Sequence, residues 1–192
     1  EYGFRAAEMH LNEWNYHPSD WSWREDKAKA RKLRERMRGC EGAAFDAATL
    51  VLLQDEPVDV GNFYTARTGM FGLFNKQGEP EKCYYALKAF ADMFETPQRV
   101  RATGGDGNGA PAVLAGRSED RAAVLLTNFG DSPLDVDLAL RNLPTGPSAA
   151  VRRQMLSADR DYEVEPVTTV GAGGGTVQTR LPAWSVCRLT LR

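Results

Sequence analysis

The sequence predicts an α/β segment followed by an all-β segment, on two observations. Over residues 1–95, extended apolar runs alternate with helical periods in the order strand, helix, strand, helix, as in a parallel α/β sheet. Over residues 96–192 the helical period disappears, and short alternating runs are separated by glycine and proline, as in an antiparallel β-sandwich. The change near residue 96 divides the chain into two expected domains, 1–95 and 96–192.

The first expected strand is AAEMHLNEW, from Ala6 to Trp14. A period of two puts Met9, Leu11 and Glu13 on one face, so this carboxylate should point where apolar side chains point. A helix follows in WREDKAKARKLRERMRG: Glu25 and Asp26 lead, the bases Lys27 to Arg38 come after, and Gly39 stops it. That charge order suits the helix dipole. Its best apolar positions are Leu33 and Met37, so the basic run reads as a solvated helix face rather than a nucleic-acid patch. EGAAFDAATLVLLQDE is a more apolar helix, with Ala44, Phe45, Ala48 and Leu52 expected to face a sheet. After Pro57, VDVGNFYTA is the second strand. A loop through FGLFNKQGE leads to Pro80, expected at the first helical position, and to PEKCYYALKAFADMF. There Cys83, Ala86, Leu87, Phe90 and Phe94 mark a core stripe.

In the second half AVLAG, RAAVLLTNF, LDVDLALRN, AAVRRQML, GTVQTRL and SVCRLTL are the strand candidates. LDVDLAL sets Leu134, Val136, Leu138 and Leu140 against Asp135 and Asp137, one buried face and one wet face. GGDGNG and GAGGG precede no helix, so they read as connections and hairpin tips rather than phosphate loops.

Composition narrows the function classes. The chain has 192 residues, 42% of them hydrophobic, and suffices for one ordinary or two small cores of a soluble globular protein. A formal net charge of -2 gives no overall pull toward nucleic acid or an anionic membrane, and no apolar run is long enough to span a bilayer. Neither partner is expected. Cys40, Cys83 and Cys187 lie far apart without a CxxC pair, and His10 and His17 are the only histidines. No metal and no cofactor is therefore expected, the thiols read as ordinary buried groups, and a Ser-His-Asp or Cys-His mechanism is disfavoured. Carboxylates remain the candidates for acid-base chemistry. Because the chain opens at Glu1 rather than Met, a piece of a longer protein is expected.

The informative stretch is HLNEWNY, His10 to Tyr16, which sets Glu13 between two amides and two aromatic rings. A strand ending Asn12-Glu13-Trp14-Asn15, one more strand, the FGLFNKQGEPEKCYYALKAF segment and an all-β tail resemble the C-terminal part of clan A glycoside hydrolases, with families 39 and 51 nearest. Residues 6–95 carry the resemblance; Glu81-Lys82-Cys83 depart from it. It implies the last two βα units of a (β/α)8 barrel plus an accessory sandwich, with the rest of the barrel in a preceding segment of the same protein. One strand-helix unit follows before the β tail, so Glu13 corresponds to the nucleophile at the end of strand seven rather than to the acid/base residue of strand four.

The implied chemistry is retaining hydrolysis of an O-glycosidic bond through a glycosyl-enzyme intermediate on Glu13. Asn15, Tyr16, His17 and Trp21 are the candidate contacts to an oligosaccharide or glycoside, with Trp14 and Trp23 as further rings. Glu8 is on the wrong face, and Glu56 and Asp59 begin the next strand, so the acid/base group is expected upstream. The plainer reading makes Glu13 a strand-end carboxylate bonded to amides. A competing function is a carbohydrate-binding or structural sandwich carrying a barrel remnant. Trp184, the one tryptophan of the β tail, is expected to pack rather than bind.

Overall fold

The computed structural model describes residues 7–103, 110–144, 146–171 and 173–192. Its first helix begins and ends where the sequence places its signals. Helix α1 (Lys27–Arg38) is capped by Asp26, whose Oδ1 accepts from the backbone N–H of Ala28 at 2.8 Å and Lys29 at 3.1 Å. It buries Leu33 and Met37, the two positions expected. Helix α2 (Cys40–Leu52) starts one residue later. That tight succession needs glycine: a Cβ on Gly39 would lie 2.5 Å from the Glu35 carbonyl oxygen, and one on Gly42 only 1.9 Å from that of Met37.

Helix α3 (Lys82–Ala91) packs on α2 through small side chains, Ala43, Ala47 and Val51 against Cys83, Ala86 and Ala89. Three expectations are corrected here. Leu52 is exposed, because α2 turns its 43, 47, 51 stripe to the core. Phe94 is 78% exposed, because α3 tightens into a 3-10 turn (Asp92–Glu95) that rotates Met93 inward in its place. Pro80 precedes the helix cap Glu81 and bridges to Phe74 instead of opening the helix.

Strands β1 (His10–Trp14) and β2 (Val60–Phe63) form a two-stranded parallel sheet. The expected start at Ala6 lies outside the described residues. The remaining strands are β3 (Gln98–Val100), β4 (Ala112–Arg117), β5 (Ala122–Asn128), β6 (Leu134–Arg141), β7 (Ser148–Ser157), β8 (Arg160–Gly171), β9 (Gly174–Leu181) and β10 (Ser185–Leu191). They make one sheet in the order β3-β4-β5-β10-β7-β8-β9-β6, antiparallel at every pairing. A single Gly171–Gly174 pair joins β8 to β9, so the β6–β9 ribbon folds over as a second layer. GAGGG thus marks the β8–β9 turn, while GGDGNG lies outside the described residues.

The sheet is covered on both sides. Ala123 and Leu125 of β5, Leu156 of β7 and Val186 of β10 face the helices. Val124, Leu126, Met155, Cys187, Leu189 and Leu191 face the β6–β9 layer. Leu134, Val136, Leu138 and Leu140 complete that inner layer, as their alternation predicts. Two strands escaped the sequence reading. Strand β3 is three residues long, and β8 carries an extra residue at Tyr162 and again at Val167, which breaks its alternation twice. Pro166 is tolerated because the outer side of β8 is unpaired along most of its length. The three cysteines are unpaired thiols.

Polar and aromatic contacts join the helices to the sandwich. Lys82 Nζ donates to the carbonyls of Ser157 (2.6 Å) and Arg160 (3.0 Å) and pairs with Asp161 at 2.8 Å. Trp184 packs on Phe129 at 5.1 Å, and Phe129 meets both Phe45 and Tyr16. Trp184 therefore takes part in packing, and β5 meets the loop after β1 through these rings.

Candidate active site

The site is built on parallel pairing, which brings the C-terminal ends of β1 and β2 to the same edge. The register runs His10 to Val60 and Leu11 to Gly61, then Trp14 to Phe63. Strand β1 spends three residues where β2 spends two, so an extra residue is accommodated at Asn12–Glu13. The period-two rule that put Glu13 on the face of Met9 and Leu11 does not carry across such a bulge. Glu13 is exposed, in the segment where β1 bends.

Asn15 ties the two strand ends together. Its Nδ2 donates to the carbonyl oxygens of Tyr64 and of Phe71, the latter at 3.1 Å. Behind it the gap bordered by Met37, Phe63 and Cys83 has no room for a water molecule, so the floor of the site is dry packing. Trp14 closes the same floor, edge-on to Phe63 at 5.1 Å with its indole nitrogen over Gly61.

Tyr16 is buried, and its hydroxyl donates to Glu41 Oε1 at 2.5 Å. Arg36 grips the same carboxylate from two nitrogens, at 2.7 and 2.5 Å, and reaches the Pro18 carbonyl at 3.3 Å. Burial, and then the bond to Glu41, push the Tyr16 phenol up to about 12. The guanidinium of Arg36 holds Glu41 below the usual carboxylate range. This triad fixes the loop that follows Glu13 onto the N-terminus of α2.

Trp21 faces outward on a half-buried His17. The imidazole stacks on Trp21 at 4.7 Å and on Phe71 at 6.0 Å, with Trp23 at 6.4 Å. Trp21 is 57% exposed, and the Arg24 guanidinium lies 4.4 Å from its ring centre. Asp20 caps the short 3-10 turn (Trp21–Arg24) that presents these rings. Nε2 of His17 and Nε1 of Trp23 are buried without a hydrogen-bond partner among the described residues.

Of the residues singled out from the sequence, the fold brings Glu13, Asn15, His17 and Trp21 to one edge and turns Tyr16 inward. Phe71, Tyr64 and Arg24 join them unforeseen. Tyr64 had a readable signal, since it follows β2 as Asn15 follows β1. Phe71 had none, because it arrives through a loop. Glu8 and Asp59 stay at the opposite end: Glu8 bonds His10 at 2.9 Å, and Asp59 accepts the Met9 N–H at 2.7 Å.

No protein-family model matches the sequence, and no curated protein matches it. Solved structures do. A glucosidase from Croceicoccus marinus superposes on 99% of this chain with a TM-score of 0.76 at 21% identity, and the match covers 47% of the glucosidase. A family 30 endoxylanase from Clostridium papyrosolvens matches 95% of this chain (TM-score 0.66, 17% identity) over 41% of its own length. A family 51 α-L-arabinofuranosidase from Bifidobacterium longum matches 96% (TM-score 0.60, 17% identity) over 43% of its own. The chain thus spans less than half of each. Its fold is that of the C-terminal part of these glycoside hydrolases, two βα units of the barrel followed by a β-sandwich.

Proposed function

We propose that this chain is the C-terminal part of a retaining glycoside hydrolase in which Glu13 is the nucleophile. The observation that carries the reading is the position of Glu13: a strand bulge at the C-terminal edge of a parallel βα pair, where barrel enzymes hold their catalytic groups. Residues 1–95 would be the end of the barrel and residues 96–192 an accessory sandwich.

Glu13 attacks the anomeric carbon as a carboxylate, forming the glycosyl ester as the leaving oxygen takes a proton from a second carboxyl group. Water then attacks the ester with that second group acting as base, and the anomeric configuration is retained. The two groups must lie about 5–5.5 Å apart, and the acid needs a raised pKa that burial and the Glu13 charge supply. Glu8, Glu56 and Asp59 belong to the far end of the strands, so the second group comes from an upstream segment that completes the barrel. Trp21 contacts the sugar through its exposed ring, and His17, stacked on it at 4.7 Å, holds that ring in place. Asn15 and Tyr16 act through the scaffold, because their polar groups bond Tyr64, Phe71 and Glu41.

The test is covalent trapping. The intact protein incubated with an activated 2-fluoro-sugar should gain the mass of one glycosyl group on the peptide that contains Glu13. Label on another carboxylate, or turnover that survives Glu13→Gln, would remove the assignment. The competing reading, a sugar-binding sandwich, finds no support in Trp184, whose ring packs on Phe129.

A further inference from the structure

Where α3 and its 3-10 turn stop, the helix-facing side of the sandwich sheet continues. On β10 that side reads Val186, Arg188 and Thr190, with Arg192 just past the strand end, so it changes from apolar to cationic within a few residues. The register sets Arg188 opposite Gln154 and Thr190 opposite Arg152 on β7, so Arg152 and Arg192 are diagonal neighbours on one face. With Lys88 and Asp92 of the helical layer above, these residues line a groove of about 220 Å³.

The groove holds more cations than its own carboxylates balance. Four basic side chains border it against two acids, Asp92 and Glu95. Asp92 pairs with Lys88 at 2.8 Å. Glu95 is shared among Arg188 (3.0 Å), Arg192 (3.7 Å) and Arg121 (4.0 Å). Arg152 has no ion-pair partner among the described residues. Arg188 is 3% exposed and fixed in place, anchored to the Asp92 carbonyl at 2.7 Å and to Gln154 at 3.2 Å. A fixed guanidinium beside an exposed one without an ion-pair partner is a donor set that planar or tetrahedral oxyanions satisfy.

We propose that this groove is an oxyanion-binding site, formed by Arg152 and Arg192 over the fixed guanidinium of Arg188, and separate from the Glu13 edge. Its volume is below the ~300 Å³ at which drug-sized pockets begin, so it takes one small charged group. That group is a free sulfate or phosphate, or the carboxylate of an acidic sugar.

The experiment is calorimetric titration of the intact protein with sodium sulfate and, separately, with glucuronic acid, at ionic strength held constant with chloride. Saturable binding is expected for at least one of them. Arg152→Ala should weaken it at least tenfold, while Arg152→Lys keeps part of it. The thermal midpoint of Arg152→Ala should match the parent, since Arg152 is exposed. Tighter binding of glucuronic acid identifies the sugar as the source of the anion, and tighter binding of sulfate identifies the free ion. No saturable binding of either probe would overturn the proposal, and so would binding unchanged in both Arg152→Ala and Arg192→Ala.

Discussion

Strands β1 and β10 lie in one chain under opposite conditions. All seven residues of β10 are buried, its apolar ones Val186, Cys187, Leu189 and Leu191 between the helical layer and the β6–β9 layer. Of the five residues of β1, Trp14 alone is half-buried, and Leu11 is 36% exposed. Strand β10 pairs on both edges, with β5 and with β7, whereas β1 pairs with β2 along one edge. The sandwich therefore owns its core, while the parallel pair leaves the Glu13 edge exposed. A parallel pair is stable when both faces are buried. The upstream barrel segment we propose supplies that cover along with the second catalytic carboxyl group.

The largest expected effect sharpens this contrast at the site. Glu13→Gln in the intact protein should lower kcat on an aryl glycoside by on the order of 10⁴-fold or more, as removal of a covalent nucleophile does. Steady-state kinetics reads it, and a loss below tenfold would return Glu13 to the role of a strand-end carboxylate.

Leu125→Ala should cost about 2–5 kcal/mol, since the side chain is fully buried in β5. In this chain alone Leu11→Ala should cost well under that, and in the intact protein it should approach the Leu125 value if upstream strands cover β1. Urea titration of both variants in both lengths measures the difference. An equal, small cost of Leu11→Ala in the two lengths would break the comparison.

A third effect is set by pH. Asp46 is fully buried in α2, and burial raises its carboxyl to about 8. The Cys83 thiol lies beside it and opposes that rise, but it donates to the Met37 carbonyl at 2.9 Å, and burial dominates. The folded chain then keeps a proton that the unfolded chain releases near pH 4, and stability falls as pH rises from about 4 to 8. Asp46→Asn should remove that slope and gain on the order of a few kcal/mol at pH 7, read from denaturant midpoints at pH 5 and pH 8. A slope unchanged by the substitution would refute the buried proton.

The smallest effect separates support from contact. Tyr16→Phe should cost about 1–2 kcal/mol through the lost bond to Glu41, with KM changed less than kcat if the triad orients the loop after Glu13. A rise in KM alone would make Tyr16 a direct contact to sugar.

Much of the fold was legible because its signals are local. The acid-to-base order of α1, the glycine after it, and the alternation of Leu134 to Leu140 depend on neighbours three or fewer positions away, and the elements formed where those signals stood. Some misreadings fell where a local period was interrupted, at Phe94, where α3 tightens, and along β8, with two bulges and a proline; Leu52 was missed because α2 turns a neighbouring stripe to the core. A period cannot announce its own interruption, since the extra residue is stabilised by the partner strand and not by its neighbours.

The sequence by itself determined the class of each half and the carboxylate at the end of the first strand, because hydrophobic period and turn residues act within a few positions. Tertiary structure alone decided which groups meet that carboxylate. Phe71 reaches His17 through a loop, Tyr16 turns inward because Glu41 and Arg36 await it, and Arg152 and Arg192 share a groove through the β7–β10 register. Those meetings depend on contacts between residues far apart in the chain, whose geometry exists once the helices close over the sheet.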